Sequence, residues 1–250
     1  MIPFIDVHCH LDYLDNKKVN NVIQNAKKKN VIIVNTGINV KSNRKTIEIS
    51  KKYPEVKYAL GIYPIDALSL SDEEIDEEIK FIQKNKDNLI AIGEVGLDLK
   101  EKGIETLEKQ KKNLKKFFEL AKKIDKPIIV HSRKAEKETV EFLESLNAKK
   151  VVMHCFSGNM NLVKRIVENG WFLSIPASIN NSTHFQQVVK DVNANNLLCE
   201  TDSPFLHPEK LKDNEPVNVI VSYKKISEIK EIDLESVKKI IYDNYKNLFE

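Results

Sequence analysis

Cysteine is scarce in this chain, and its scarcity excludes two architectures. Only Cys9, Cys155 and Cys199 occur in 250 residues, an odd number that builds no disulfide framework in a chain this long. No Cys-x-x-Cys pair is present, which removes thiolate zinc sites as well. The three thiols are expected to act as small buried hydrophobes. Long apolar runs are missing too. None approaches the ~18 residues of a membrane span, and no basic segment leads into a signal-like stretch. These absences predict a soluble, cytoplasmic protein without membrane association. Charge of one sign is also lacking: 40 Lys and Arg stand against 37 Asp and Glu, a formal net charge of +3. That balance is too even to argue for nucleic acid on electrostatics alone. Arginine is confined to Arg44, Arg133 and Arg165, and lysine runs such as Lys27–Lys29 read as solvated helix faces. No glycine-rich phosphate turn is found either; Gly93-Glu94-Val95-Gly96 lacks the Rossmann spacing.

What the chain does have is alternation. Eight short β-branched runs read as buried parallel strands: Phe4–Val7, Val31–Asn35, Lys57–Ile62, Leu89–Gly93, Pro127–Val130, Lys150–His154, Trp171–Ile175 and Leu197–Glu200. Between them lie lysine- and glutamate-rich stretches with helical spacing. Leu114, Phe117, Phe118 and Ala121 form one apolar stripe. Ser71-Asp72-Glu73-Glu74 reads as a capping box opening the third helix. Two helical patterns, Val217–Ile229 and Leu234–Phe249, close the chain. Eight βα units predict an α/β protein with a (β/α)8 TIM barrel over a doubly wound open sheet, as one domain spanning residues 1–250.

Histidines and carboxylates fall at the ends of these runs. His8 and His10 follow the first strand and face the same way, with Cys9 opposite. Glu94 and Asp98 follow the fourth run, His131 the fifth, His154 the sixth and Asp202 the eighth. The C-terminal ends of barrel strands meet at one rim, where such folds place their sites. His8 and His10 can grip one ion, His131 and His154 a second, and the two oxygens of Glu94 can bridge ions roughly 3.5–4 Å apart. Asp202 can bind metal and also take a proton from water. This nitrogen and oxygen set suits Zn, Mn, Fe or Co, and Mg in a looser site. His184 is assigned no catalytic role, and His207 at most a place on the rim.

The segments Asp6-Val7-His8-Cys9-His10-Leu11-Asp12, Gly93-Glu94-Val95-Gly96-Leu97-Asp98, Ile129-Val130-His131-Ser132-Arg133, His154-Cys155-Phe156-Ser157-Gly158, Glu200-Thr201-Asp202-Ser203-Pro204-Phe205-Leu206 and Asn214-Glu215-Pro216 follow one another in order. Together they resemble the TatD family of metal-dependent deoxyribonucleases, within the amidohydrolase superfamily. The resemblance implies a TIM-barrel hydrolase holding two divalent ions (Zn, Mn, Mg, Co or Fe). The ligands would be His8, His10, Glu94, His131, His154 and Asp202, with Asp202 and Glu94 catalytic. It implies a nucleic acid substrate, DNA with RNA left open, trimmed as single strands from an end by metal-activated water. No obligate protein partner is evident. Arg133 and the amides around Ser157-Gly158 are candidate phosphate contacts, and Asn214-Glu215-Pro216 is expected to fix the loop over the site.

Two departures stand out. Where the family shows Gly-x-His-Pro, this chain has Gly61-Ile62-Tyr63-Pro64; Tyr63 offers a hydroxyl to substrate rather than an imidazolium. Leu99-Lys100-Glu101 replaces aromatics after Asp98, which predicts a rim poor in stacking surfaces. Similar ligand sets hydrolyse esters, lactones, amides and aminoacyl-tRNA linkages, so a metal-dependent ester or amide hydrolase is the alternative. A non-catalytic scaffold is the third class.

Overall fold

The computed structural model describes residues 2–210 and 213–250. Eight strands, β1 Phe4–Cys9, β2 Val31–Thr36, β3 Val56–Leu60, β4 Leu89–Gly96, β5 Ile128–His131, β6 Val151–Met153, β7 Phe172–Pro176 and β8 Leu197–Glu200, pair in sequence order. Every paired strand is parallel to its neighbour. Parallel neighbours need long crossovers, and the lysine-rich segments supply them as helices. These are α1 Asn16–Lys28, α2 Val40–Lys52, α3 Pro64–Leu68, α4 Asp72–Lys84, α5 Leu107–Lys123, α6 Glu136–Ser145, α7 Met160–Glu168 and α8 Thr183–Asp191. After β8 come α9 Val219–Lys230 and α10 Leu234–Phe249. The last strand returns to the first. The Asp202 amide donates to the His8 carbonyl at 3.0 Å, and the His10 amide donates to the Ser203 carbonyl at 2.7 Å. The fold is the expected (β/α)8 barrel. No helix among the described residues is long and apolar enough to cross a membrane.

Local chemistry sets the element ends. Ser71 and Glu74 do form a reciprocal capping box, the Glu74 amide donating to Ser71 Oγ at 3.2 Å and the Ser71 amide to Glu74 Oε2 at 2.8 Å. That box opens the fourth helix rather than the third, because Pro64 starts a five-residue helix that has too few turns to show a periodic stripe. The stripe of α5 is buried as its spacing predicts.

Two apolar layers result. Ile5, Val7, Val34, Ala59, Ala91, Ile129, Val152 and Leu198 fill the barrel, and Tyr245, Leu248 and Phe249 of α10 pack against them. A larger layer, including Cys9, Ile92, Val95, Trp171 and Phe117, lies between strands and helices. Simple alternation along β1 would put Cys9 inside with Ile5 and Val7, and His8 outside. An extra residue prevents this. Between Asp6 and Cys9, β1 advances three residues while β2 advances two, from Ile33 to Asn35. The same happens in β4, where Ile92 to Val95 faces Ile128 to Val130 of β5. Each bulge reverses the strand's phase, turning His8, His10 and Glu94 toward the barrel mouth while Cys9 and Val95 go outward. Cys9 and Cys199 are buried as expected, whereas Cys155 is only half-buried.

Candidate metal centre

At the mouth the sequence-distant residues meet. His8 Nε2 and His10 Nε2 lie 3.1 Å apart. Glu94 Oε2 is 3.4 Å from each of them. Asp202 Oδ1 is 3.5 Å from His8 Nε2 and 3.3 Å from His10 Nε2. The other carboxylate oxygen of Glu94 turns away from this group: Oε1 is 2.9 Å from His131 Nδ1 and 3.7 Å from His154 Nε2. Glu94 therefore divides its two oxygens between two histidine pairs. Among the described residues, three sets have donor atoms close enough to share an ion: His8, His10 and Glu94; Glu94, His131 and His154; and His8, His154 and Asp202.

The donors fit a cation on geometry and on tautomer. Bonds of about 2.0–2.1 Å at angles between octahedral and tetrahedral leave neighbouring donors roughly 2.9–3.4 Å apart, close to the spacings around His8 and His10. Ligand histidines need the nitrogen facing the ion unprotonated, which an acceptor on the opposite nitrogen secures. His10 Nδ1 lies 2.9 Å from the Thr36 carbonyl, which can only accept. His154 Nδ1 lies 3.0 Å from Glu200 Oε2, and His131 Nε2 lies 3.0 Å from Asp98 Oδ2. Each of these three rings thus carries its proton on the outer side. His131 is the unusual one, presenting Nδ1 inward where His10 and His154 present Nε2.

Electrostatics concentrate negative charge here. Burial opposes a charged His8, but hydrogen bonds to Asp202 and Glu94 outweigh it and lift the pKa to about 9. His131 is lifted to about 9 by Asp98 and Glu94, again against burial. Burial pushes Glu94 upward, yet the surrounding imidazoles hold it well below the usual carboxylate range. Asp98 is held at about 2 by His131 and Tyr63 despite its own desolvation. Protons and cations consequently compete for the same nitrogens. With imidazole pKa values raised, cation binding must displace protons at neutral pH. Affinity is expected to rise with pH through neutrality as these imidazoles lose their protons. Calorimetry in buffers of different ionisation heat would measure the released protons, and no release near neutrality would contradict this assignment.

Comparison of the whole chain with known proteins shows its family. A family profile described as TatD related DNase matches residues 5–250. The chain belongs to the TatD family. It is 35% identical over 260 residues to human deoxyribonuclease TATDN3, covering 99% of this chain and 95% of that protein. It is 35% identical over 249 residues to an uncharacterized metal-dependent hydrolase of Methanocaldococcus jannaschii, covering 99% and 97% of the two chains. The crystal structure of a TatD homologue from Escherichia coli superposes with a TM-score of 0.92 at 24% identity, covering 100% of this chain and 99% of that one. The protein is a metal-dependent hydrolase.

Around the candidate ligands stand residues that the sequence left without a role. Asp98, fully buried, holds His131 and accepts a 2.6 Å hydrogen bond from Tyr63 Oη. Glu200, also fully buried, holds His154 and accepts from Ser174 Oγ. Asp6 accepts from the Thr201 amide and hydroxyl and so fixes the backbone before Asp202. Their signal was available: each is an acidic residue two or four positions from a proposed ligand. Replacing Asp98 by Asn is expected to weaken cation binding at the His131 pair by about 10- to 100-fold, because the amide can offer its NH2 to His131 and favour the wrong tautomer. Competitive titration with a chromophoric chelator would check this, and unchanged affinity would remove Asp98 from the site.

The remaining expectations divide. Tyr63 lines the cavity, but its hydroxyl is engaged by Asp98, and burial together with that carboxylate pushes the phenol's pKa well above its ordinary value. It serves the His131 side of the site as a hydrogen-bond donor. Arg133 lines the cavity and also sits 4.0 Å from Glu101 Oε1, a loose, half-exposed rim pair. Ser157 lines the cavity and donates to Glu136 at 2.8 Å. Asn214 fixes the β8 loop as expected, donating to the Thr201 carbonyl at 2.9 Å and the Phe205 carbonyl at 2.7 Å. His184 bonds to the Phe156 carbonyl, and His207 Nδ1 accepts from the Glu209 amide; neither lines the cavity. The expectation of a rim poor in aromatics is corrected. Tyr13, Tyr63, Phe185 and Phe205 all line the cavity, because aromatics arrive from the segments after β1, β3 and β8 and from α8 rather than from the segment after β4.

Proposed function

We propose that this TatD-family hydrolase cleaves phosphodiester bonds in DNA, releasing nucleotides from an end of single strands, with two divalent ions bound between the histidine pairs. The observation that carries the proposal is the split of Glu94, whose two oxygens each face a separate pair of imidazoles. Cations held by these two groups would supply the Lewis-acid charge that a displacement at phosphorus needs. The name of the human relative, deoxyribonuclease, points the same way. Bound cations would supply the positive charge that makes water nucleophilic at neutral pH and offsets charge on the phosphoryl oxygens.

The chain's own residues do the rest. His8, His10, His131 and His154 would hold the ions, and Asp202 would add a carboxylate on the His8 and His10 side. Asp202 is more open to the cavity than Glu94, its side chain 17% exposed against 4%, and takes the proton from the attacking water. Asp98 and Glu200 keep two imidazoles in the ligating tautomer. Arg133 reaches a non-bridging phosphate oxygen from the cavity wall, exchanging its loose contact with Glu101 for the substrate's charge.

An end-labelled single-stranded oligonucleotide, incubated with protein of measured metal content and Mg or Mn, is expected to yield a ladder of shortened strands. The same preparation is then offered duplex DNA, RNA, carboxylic esters, amides and an aminoacyl-tRNA. Robust turnover of an ester, amide or aminoacyl-tRNA with no nucleotide release by metal-loaded protein would overturn the proposal.

A further inference from the structure

Most large apolar side chains of this chain are buried, yet two aromatic rings stand open at the mouth of the cavity. Tyr13 is 54% exposed and Phe205 is 48% exposed. They stand on the two sides of the closing seam, Tyr13 just after β1 and Phe205 just after β8. Their centroids are 5.3 Å apart at an interplanar angle of 76°. Both flank a ligand histidine: His10 is 6.0 Å from the Tyr13 ring and 6.3 Å from the Phe205 ring. Exposed apolar rings forfeit the free energy of burial, and clustering them beside a site marks a contact surface.

The rings are presented on fixed backbone. The Tyr13 amide donates to the His10 carbonyl at 3.2 Å. Lys45 Nζ donates to the carbonyls of Asp12 and Leu14 on either side, at 2.7 and 2.8 Å. Asn214 holds the Phe205 carbonyl at 2.7 Å. Two loops are thus tied so that an aromatic pair projects over a cavity of about 570 Å³, a size that takes one nucleotide-sized group rather than a folded partner.

We propose that Tyr13 and Phe205 form a stacking site for the nucleobase of the nucleotide whose phosphate is cleaved. The inference rests on the nuclease reading above. The occupant follows from continuity: His10 belongs both to the carboxylate cluster, where the phosphate must lie, and to the aromatic pair about one ring away. A base joined to that phosphate through its sugar spans such a gap, and its flat face suits rings that have apolar surface to bury. Stacking of this kind accepts any base, because every base has a π-face. The site therefore favours nucleotides over bare phosphodiesters without selecting a sequence.

The test compares single-stranded oligonucleotides that carry either a base or an abasic tetrahydrofuran residue at the position cleaved. The wild-type protein is expected to show a KM on the order of 10-fold lower for the base-bearing strand. In Tyr13→Ala and Phe205→Ala that discrimination should collapse toward unity, chiefly through KM, and Tyr13→Trp should restore it. Ile104→Ala, an exposed apolar truncation outside the cavity, sets the baseline. A wild-type protein that does not distinguish the two strands overturns the stacking site. So do alanine variants that slow both strands by one factor, since the pair would then only staple two loops. Failure of metal-loaded wild-type protein to cleave any oligonucleotide overturns the nuclease reading itself, and the stacking site with it.

Discussion

Asp202→Asn is expected to lower kcat by roughly 10³-fold while the folded structure stays intact, the range spanned by loss of a positioned general base. Asp202 lies two residues beyond the end of β8 and adopts a left-handed conformation, φ 54°. Asparagine tolerates that conformation as aspartate does, so the backbone bond from residue 202 to the His8 carbonyl should survive. What is lost is a carboxylate held in its charged form against burial by the hydrogen bonds of His10 and His8. An amide cannot take a proton from water at neutral pH. The measurement pairs kcat with metal content and thermal unfolding of the same preparation. Activity within a few-fold of wild type, at full metal content, would show that another group accepts the proton.

Glu94→Gln should have the largest effect on metal content. Outer-shell partners of ligand histidines are worth about 10- to 100-fold in metal affinity, and a residue facing both histidine pairs should exceed that range. Glutamine has nearly the same volume, so the packing of the buried position is preserved. Its NH2 group, however, must face one of the pairs with donors where lone pairs are required. Removing the charge also removes the anion that His8, His10 and His131 share. The expected result is a protein with an unchanged circular dichroism spectrum, sub-stoichiometric metal and loss of hydrolysis by about 10³-fold or more. Retention of full metal content would show that Glu94 does not connect the two pairs.

Much of this was legible in the linear sequence because barrel topology converts sequence position into spatial position. A histidine or carboxylate after a β-branched run lies at a strand's C-terminal end, and eight such ends share one rim. His131 after β5 and His154 after β6 needed no more information than that. Tyr63 was legible as a departure but not in its contacts. Its partner Asp98 lies 35 residues away, and only the packing of β3 beside β4 brings them together. The aromatic rim was illegible for a similar reason: Tyr13 and Phe205 follow the first and last strands and become neighbours only when the barrel closes.

The amino-acid order by itself determined the repeating βα pattern, the scarcity of thiols, the identity of the candidate ligands and the strand end on which each sits. These are local properties, set by side-chain type and period. Only the tertiary structure decided which way those ligands face. Period-two alternation sends His8 outward when Ile5 and Val7 point in, and one extra residue in β1 and another in β4, visible only against their partner strands, turn His8 and Glu94 back to the mouth. The choice of Nδ1 or Nε2 on His10, His131 and His154 was decided there too, by acceptors from other strands or loops: Thr36, Asp98 and Glu200. Register and tautomer are both relations between strands, and a single strand carries neither.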